Sequence, residues 1–183
     1  MRLFAGLDLP YEMRRNLELL LQLLKPLARI QWSSLDNLHL TTKFIGDFPD
    51  ERLEELKAAL AAVPRPGGLR IAIRGLGWFP NPDRPRVLVA GIQAPLELAA
   101  LARDTARACE ALGMAHEEQE FRPHLTLARI RRPEPLTALK AGMARLPSVD
   151  FGVFQVESFH LYRSQLQPGG SIYTKLASFP LAV

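Results

Sequence analysis

Cysteine is nearly missing from the sequence, and its scarcity limits the kinds of site that the chain can build. Cys109 is the only cysteine among 183 residues. No disulfide can therefore form within the chain, and the CxxC pairs that mark zinc ribbons are absent. A single thiol is typical of proteins in a reducing compartment, and we expect a cytoplasmic protein.

Long apolar runs and several well-known motifs are also missing. The apolar stretch in MRLFAGLDLP at the N-terminus is far too short for a secretory signal or a membrane span, so we expect no membrane association. The sequence has no GxxxxGK phosphate loop and no HExxH metal motif, and none of its five lysines lies in a KxDG segment. We therefore predict an activity without a cofactor and without a metal ion.

The bulk composition indicates one folded unit with an anionic partner. The chain is 48% hydrophobic and 23% charged, which is enough apolar surface for a core of its own. The formal net charge is +4 and the pI is near 9.6, a balance that favours an anion such as nucleotide phosphate without identifying it. We expect a monomer.

Two of the four histidines lie in the same triplet, His-Leu-Thr. The stretch NLHLTTKF contains His39 and the stretch RPHLTLAR contains His124, an offset of 85 residues. The same offset aligns AGLDLPYE, which begins at Ala5, with AGIQAPLE, which begins at Ala90. Two separate matches at one offset predict an internal duplication, with copies at about 1–80 and 86–164 inside one bilobal domain of residues 1–183.

Each copy has the same predicted order of elements, β-α-β-α-β. A short strand (3–7 or 87–92) runs into a proline at a first helical turn, and leucines at helical spacing follow it. The histidine strand, a second helix (51–63 or 135–146) and a third strand (69–76 or 153–161) come next, and a closing strand covers 172–179. The segment 77–86 is rich in proline and turn residues and is the predicted join. This order predicts an α+β fold with largely antiparallel sheets whose two copies face a central cleft.

Strand alternation predicts which side chains face that cleft. In regular strands His39, Thr41 and Lys43 share one face, whereas Phe44 points towards the leucines. In the second copy Arg122, His124 and Thr126 share a face, and Arg129 lies on the other.

Two imidazoles with adjacent hydroxyls suit a reaction in which one histidine removes a proton and the other delivers one. Without a metal ion or a covalent nucleophile, such a site needs an easily attacked phosphodiester. A strained five-membered cyclic phosphate is the obvious candidate.

These motifs resemble the two-histidine (2H) phosphoesterase superfamily. The stretches RLFAGLDLP, NLHLTTKF, GLGWFP, FRPHLTLARI and FHLYRSQLQPGG together resemble its RNA 2',3'-cyclic phosphodiesterase family, historically named 2'-5' RNA ligase, over essentially the whole chain. The resemblance implies that His39 is the general acid for the departing 3'-oxygen and that His124 is the base that activates water. Thr41 and Thr126 would hold the phosphate oxygens.

The expected substrates are RNA or oligonucleotide ends with a 2',3'-cyclic phosphate, or nucleotides, and the expected product is a 2'-phosphate. In the reverse direction, family members join RNA ends through a 2'-5' bond without ATP.

Further residues are candidates for substrate binding around this site. They are Lys43, Phe44, Arg122, Arg129, Tyr162 and Arg163, the last two from the LYRS segment. Each has an ordinary alternative, since exposed arginines are common and aromatic residues usually belong to the core. His116 and His160 lack a threonine partner, and we expect them to be structural or exposed.

Other functions stay open at this point. A non-catalytic RNA-binding module would explain the basic balance, and a zinc enzyme would also use histidines. Within the superfamily, a cyclic nucleotide phosphodiesterase, an RNA 3'-exonuclease or an ADP-ribose cyclic phosphate hydrolase shares the catalytic pattern. The acid and base roles could also be exchanged for a substrate bound in the opposite orientation, because the predicted site is nearly symmetric.

Overall fold

Residues 1–182, which the computed structural model describes, form nine strands and four α-helices. The strands are β1 (Arg2–Asp8), β2 (Gln31–Trp32), β3 (His39–Asp47), β4 (Leu69–Phe79), β5 (Val87–Gln93), β6 (His124–Arg129), β7 (Asp150–Val156), β8 (Ser158–Gln167) and β9 (Gly170–Pro180). The helices are α1 (Tyr11–Leu24), α2 (Leu53–Ala61), α3 (Leu96–Ala111) and α4 (Thr137–Ala144). Short 3-10 turns at Lys25–Leu27, Leu35–Asn37 and Asp50–Arg52 link some of them.

One continuous sheet joins all the strands. Their order is β7-β4-β5-β6-β3-β1-β8-β9, with β2 beside β6, and every pair of neighbouring strands is antiparallel. The sheet curls into a half-barrel, with the helices packed on its convex face. The predicted α+β class with antiparallel pairing is confirmed, although we expected two sheets and the structure has one.

The two copies of the repeat exchange elements within this sheet. Strand β4, the last strand of the first copy, pairs with β5, the first strand of the second copy. Likewise β8, the last strand of the second copy, pairs with β1, the first strand of the first copy. The first helix of each copy also packs on the other copy's strands, α1 against β7 and α3 against β3. Neither copy could therefore form its half of the sheet alone.

The core lies between the convex face of the sheet and the helices. Helix α1 buries Met13, Leu17, Leu20, Leu21 and Leu24, which recur at the three- and four-residue spacing of one helix face. Each fully buried leucine contributes about 2 kcal/mol through the apolar surface that it removes from water. Most of the leucines predicted to be core are buried, although Leu27 and Leu112 are only partly buried. The concave face carries the polar side chains of the two triplets together with several aromatic residues.

A glycine shared by the two copies is explained by close packing between strands. A Cβ on Gly6 would lie 2.7 Å from the carbonyl oxygen of Leu40, and one on Gly91 would lie 2.3 Å from the carbonyl oxygen of Arg74. Real Cβ atoms do not approach backbone oxygens this closely, so both positions of the repeat require glycine.

Several predicted boundaries differ in the structure. Pro10 and Pro95 are N-caps rather than residues of the first helical turn. The segment 77–86, predicted to connect the two copies, begins inside β4, which continues to Phe79. The predicted strand 153–161 is two strands in the structure, β7 and β8, separated at Glu157. Among the described helices, none is both long enough and apolar enough to cross a membrane.

Candidate active site

The two His-Leu-Thr triplets meet at the centre of the sheet. Strands β3 and β6 pair through Leu40 and Leu125, which are equivalent positions of the repeat. An approximate two-fold axis therefore passes between them. One residue further along this antiparallel register, His39 lies opposite Thr126, and Thr41 lies opposite His124. All four side chains share the concave face, because Leu40 and Leu125 point into the core.

Both imidazoles are held in the same way. The Nδ1–H of His39 donates to the carbonyl oxygen of Asn37 at 2.7 Å, and the Nδ1–H of His124 donates to the carbonyl oxygen of Arg122 at 2.7 Å. These bonds favour the tautomer in which Nε2 carries the lone pair and is available for proton transfer. In the first motif Nε2 of His39 is 2.9 Å from the hydroxyl oxygen of Thr41.

The surroundings of His39 act on its pKa in both directions. Burial lowers the pKa, the Asn37 carbonyl and the Asp8 carboxylate raise it, and the charges of Arg129 and His124 lower it again, so that the net shift is downward. His39 therefore tends towards its neutral form at neutral pH. A phosphate anion bound between the histidines would favour its protonated form, because opposite charges stabilise each other.

An aromatic wall supports His39 and is larger than the single aromatic contact beside His124. The ring of Phe4 stacks on His39 with centroids 4.5 Å apart, and Tyr162 stacks on Phe4 at 4.9 Å. Tyr173 from β9 contacts His39 edge-on at 5.0 Å. Sequence reasoning found Tyr162 but missed Phe4 and Tyr173. The repeat gave no signal for Phe4, whose equivalent in the second copy is Val89.

Behind this wall, a polar network centres on Asp8, which sequence reasoning also missed. Its carboxylate accepts hydrogen bonds from the Tyr162 hydroxyl and from the Lys175 ammonium group, and it lies 3.9 Å from Nε2 of His160. Burial raises the pKa of Asp8, but these partners outweigh burial and the net pKa is lowered. Asp8 is therefore a carboxylate at neutral pH. It pairs directly with His39 in the sheet register.

Phe79 contacts the second histidine. Its ring lies edge-on to His124 with centroids 4.7 Å apart. It comes from the GLGWFP segment, at the end of β4. The contact places the beginning of the following loop, Pro80–Arg86, beside the site.

A β-bulge reverses the predicted faces of two candidate residues on β3. Gly6 pairs with Thr41 and Ala5 pairs with Lys43, so Thr42 is an extra residue in the strand. Lys43 therefore lies on the convex face, where it is buried and its Nζ is 2.6 Å from Oε2 of Glu117. Phe44 turns to the concave face and is 49% exposed. Regular alternation predicted Lys43 beside His39 and Phe44 with the leucines. Both predictions are wrong because of the bulge.

An equivalent bulge in β6 brings Arg129 to the concave face, as the bulge in β3 does for Phe44. Val89 pairs with Thr126 and Leu88 pairs with Ala128, which leaves Leu127 as the extra residue. Arg129 then shares the concave face with Thr126, contrary to the prediction from regular alternation. Burial is the main cause of the lowered pKa of His39, and the positive charge of Arg129 adds a smaller lowering.

The remaining candidates are placed as follows. Arg122 is exposed immediately before β6, and its carbonyl holds His124. Tyr162 faces the cleft, whereas Arg163 pairs with the core residue Leu3 and lies on the convex side, away from the histidines. There a hydrogen bond from the N-terminal amine lowers the pKa of Asp50, and the charge of Arg163 adds to this lowering.

The two other histidines lie outside the paired motifs. His116 is exposed and its Nδ1 is 2.6 Å from Oε1 of Glu110, whereas His160 is buried with its Nδ1 2.9 Å from the hydroxyl oxygen of Ser178. Within residues 1–182, the His, Cys, Asp and Glu side chains form no group of three or more that could hold a metal ion.

The assembled groups can carry out acid–base chemistry on a phosphodiester. Two imidazoles with available Nε2 atoms flank one point from opposite strands, and each has a threonine hydroxyl two residues away that can donate to an anionic oxygen. Arg129 supplies positive charge on the same face.

The chain matches a family model described as LigT-like phosphoesterase. The match covers residues 7–89 and 92–173, two segments whose starts are 85 residues apart, the interval that separates the two triplets. A relative from Archaeoglobus fulgidus, RNA 2',3'-cyclic phosphodiesterase, is 32% identical over 98% of this chain and 99% of its own length. A relative of the same name from Thermus thermophilus is 36% identical over 99% of this chain and 90% of its own length.

Solved structures show the same fold. A crystal structure of a Thermus thermophilus protein has a TM-score of 0.82 and 33% identity, and it covers 99% of this chain and 98% of its own. The crystal structure of E. coli LigT complexed with 3'-AMP has a TM-score of 0.79 and 26% identity, over 100% of this chain and 98% of its own.

Proposed function

Because the chain belongs to the LigT-like phosphoesterases, the family that its motifs predicted, we propose that it hydrolyses 2',3'-cyclic phosphate ends of RNA to 2'-phosphomonoesters. The observation that carries the proposal is the pairing of Leu40 with Leu125, which brings His39 and His124 to one point of the concave face. The relatives named RNA 2',3'-cyclic phosphodiesterase support the choice of substrate.

The reaction needs two proton transfers. Nε2 of neutral His124 accepts a proton from a water molecule, which attacks phosphorus. The bond from phosphorus to the 3'-oxygen breaks, and protonated His39 gives its Nε2 proton to that oxygen. The product has a 2'-phosphate and a 3'-hydroxyl, and one further exchange of a proton with solvent restores both histidines.

An asymmetry between the copies supports His39 as the acid. Burial lowers the pKa of His39 overall, but the negative charge of Asp8 opposes this lowering, and the residue equivalent to Asp8 in the second copy is the uncharged Gln93. Asp8 therefore favours the imidazolium form of His39, which is the form that an acid requires. The aromatic wall also lies on the His39 side of the site.

The other proposed contacts follow from the faces of the strands. Thr41 and Thr126 donate their hydroxyls to the non-bridging phosphate oxygens, and Arg129 neutralises charge that develops in the transition state. Phe44 and Tyr162 border the cleft, and Arg122 lies at its edge. Lys43 and Arg163 leave the proposed binding set, because both are on the convex side.

Ligation is the same displacement with an RNA 5'-hydroxyl in place of water: the 5'-oxygen bonds to phosphorus, the bond from phosphorus to the 3'-oxygen breaks, and a 2'-5' phosphodiester forms without ATP. We further propose that the protein works as a monomer in a reducing compartment such as the cytoplasm. Both histidine motifs come from one chain, so the site is complete in a single copy. The one cysteine, Cys109, is buried, and burial raises its thiol pKa to about 11.

The test is hydrolysis of an oligoribonucleotide that ends in a 2',3'-cyclic phosphate, in excess EDTA, with chromatographic separation of the 2'- and 3'-phosphate products. We expect only 2'-phosphate, and a loss of at least about a thousandfold in kcat for His39→Ala and for His124→Ala. His116→Ala is the control and should retain full activity.

Three results would contradict the proposal. Retention of activity by either alanine variant would remove that histidine from the mechanism. A wild-type protein that binds the RNA without turnover would favour a non-catalytic RNA-binding module, and loss of wild-type activity in EDTA would indicate a metal-dependent reaction.

A further inference from the structure

Three segments that meet at one end of the cleft carry an unusual number of arginines. Residues 29–32, 80–86 and 129–134 contain six arginines and two acids, Asp83 and Glu134. We call these arginines the basic rim: Arg29, Arg84, Arg86, Arg129, Arg131 and Arg132. The three segments carry the same net charge as the whole chain, +4, so the rest of the molecule is neutral overall.

Backbone contacts hold the three segments together. The Ile130 amide donates to the carbonyl oxygen of Arg86 at 2.8 Å, which joins the loop after β6 to the loop before β5. Gln31 pairs with Arg129 across β2 and β6 and accepts a hydrogen bond from the Arg131 guanidinium group. Arg29, Arg131 and Arg132 line one depression of the surface with Gln31 and a single acid, Glu134. The rim is therefore one surface, formed by residues far apart in sequence.

The charges of the rim are not neutralised by the protein. All six arginines are exposed, and none makes an ion pair with a residue of the described range 1–182. Outside the rim, six of the other twelve arginines, among them Arg52, Arg74 and Arg103, have a carboxylate within 4 Å. Unpaired, closely spaced guanidinium groups repel one another, and a polyanion would relieve this repulsion.

The rim is continuous with the catalytic groups. Arg129 faces the cleft and its charge reaches His39. The loop Pro80–Arg86 begins directly after Phe79, whose ring contacts His124. A strand with its last nucleotide between the histidines could thus leave the site over the rim.

We propose that the basic rim binds the phosphates of an RNA strand on the 5' side of the terminal nucleotide. The proposal rests on the proposed function and narrows it. The preferred substrate is a polynucleotide end rather than a free cyclic mononucleotide, because only a polynucleotide carries phosphates that reach the rim. The contacts are to phosphate and carry no sequence information, so the enzyme accepts many RNA sequences.

The test compares two substrates in two matched variants. Arg131→Gln/Arg132→Gln removes two rim charges, and Arg103→Gln/Arg107→Gln removes two charges from α3 on the convex side, where these arginines are 58% and 69% exposed. For the rim variant we expect kcat/KM to fall about tenfold on an oligoribonucleotide with a cyclic end and to stay within about twofold on a 2',3'-cyclic mononucleotide. The control variant should change neither value.

Salt dependence gives a second readout. The slope of log kcat/KM against log salt concentration on the oligonucleotide should become shallower by about 0.7 for each phosphate that the rim variant no longer binds, as expected for single strands. Equal effects on the two substrates, or equal effects of the two variants, would overturn the proposal.

A binding measurement separates this proposal from the proposed function. Fluorescence anisotropy with an oligoribonucleotide that ends in a 3'-hydroxyl reports on the rim without catalysis. If the wild type turns over neither substrate, the proposed function fails. Weaker oligonucleotide binding by the rim variant alone would still support the rim, and equal binding by both variants would overturn it.

Discussion

At the residue scale, Thr41 and Thr42 are neighbours with the same side chain and opposite surroundings. The Thr41 hydroxyl faces the cleft, 2.9 Å from Nε2 of His39. The Thr42 hydroxyl is buried and has no hydrogen-bond partner among the described residues. A buried hydroxyl without a partner loses its hydration and gains nothing in exchange. Thr41 therefore lies where the proposed reaction can use its hydroxyl, whereas the unpaired hydroxyl of Thr42 lowers the stability of the fold.

Replacing each threonine with valine separates these two effects. We expect Thr41→Val to lower kcat/KM about a hundredfold, because a donor to the phosphate oxygens is lost. We expect Thr42→Val to keep its activity and to raise the free energy of unfolding by about 1 kcal/mol, because the unpaired hydroxyl is removed. Steady-state kinetics and urea unfolding check the two results. Equal losses of activity in both variants would contradict the assignment.

Repetition in the sequence explains which site residues could be predicted. His39, His124 and their threonines were visible because each motif occurs twice at one offset. Phe4, Asp8 and Tyr173 were not visible. Phe4 and Asp8 differ from their equivalents in the second copy, Tyr173 lies in the closing strand, and their contacts with His39 arise only when distant strands pair.

At the scale of single elements, the two bulges determine what the cleft contains. An extra residue, Thr42 in β3 and Leu127 in β6, shifts the alternation immediately after each His-Leu-Thr triplet. The bulges bring Phe44 and Arg129 to the concave face at equivalent positions and send Lys43 to the convex face. Strands and helices were predictable from periodicity, but bulges were not, because a bulge is set by the pairing of two strands rather than by the pattern of one.

The glycine beside the first triplet should tolerate no side chain. Gly6→Ala would place a Cβ 2.7 Å from the Leu40 carbonyl oxygen and 3.5 Å from the Cα of Thr41. We expect it to lower the free energy of unfolding by about 2 kcal/mol and to reduce activity, because β3 must shift at His39 and Thr41, the proposed catalytic residues.

The matched control is Gly67→Ala, where an added Cβ has no neighbour within 4 Å. Thermal unfolding and kinetics of both variants provide the comparison. An unaffected Gly6→Ala variant would show that β3 adapts without cost.

At the scale of the whole molecule, the two segments related by the 85-residue offset form a candidate site with approximate symmetry and unequal halves. The interleaving of the copies, with β4 beside β5 and β8 beside β1, makes each half of the sheet depend on both copies. The sequence predicted the order of elements and the antiparallel class. It did not predict the exchange, because periodicity describes one element at a time, whereas strand order depends on contacts between distant segments. The sequence shows that Asp8 is replaced by Gln93 in the second copy. The effect of Asp8 on His39 could not be predicted, because it depends on the strand register that places these two residues side by side.

Replacing Asp8 should shift the pH dependence of the reaction in one direction. An acid must be protonated, so activity is lost as the pH rises through the pKa of His39. Asp8→Asn removes a negative charge that raises this pKa, and it leaves the charge of Lys175 without its partner. The pKa of His39 then falls, and we expect the alkaline limb of the kcat/KM profile to move to lower pH.

Asp36→Asn, at a carboxylate that is 99% exposed, is the control and should leave the profile unchanged. An alkaline limb that stays in place in Asp8→Asn, or that moves to higher pH, would argue against His39 as the acid.

The most direct test of the central claim uses a cyclic substrate in which sulfur replaces the 3'-oxygen. A thiolate leaves without protonation, because a thiol is far more acidic than an alcohol. His39→Ala should hydrolyse this substrate at close to the wild-type rate, whereas His124→Ala should stay inactive because water still needs a base. Recovery of His124→Ala in place of His39→Ala, or failure of both variants to recover, would contradict the division of acid and base between the two histidines.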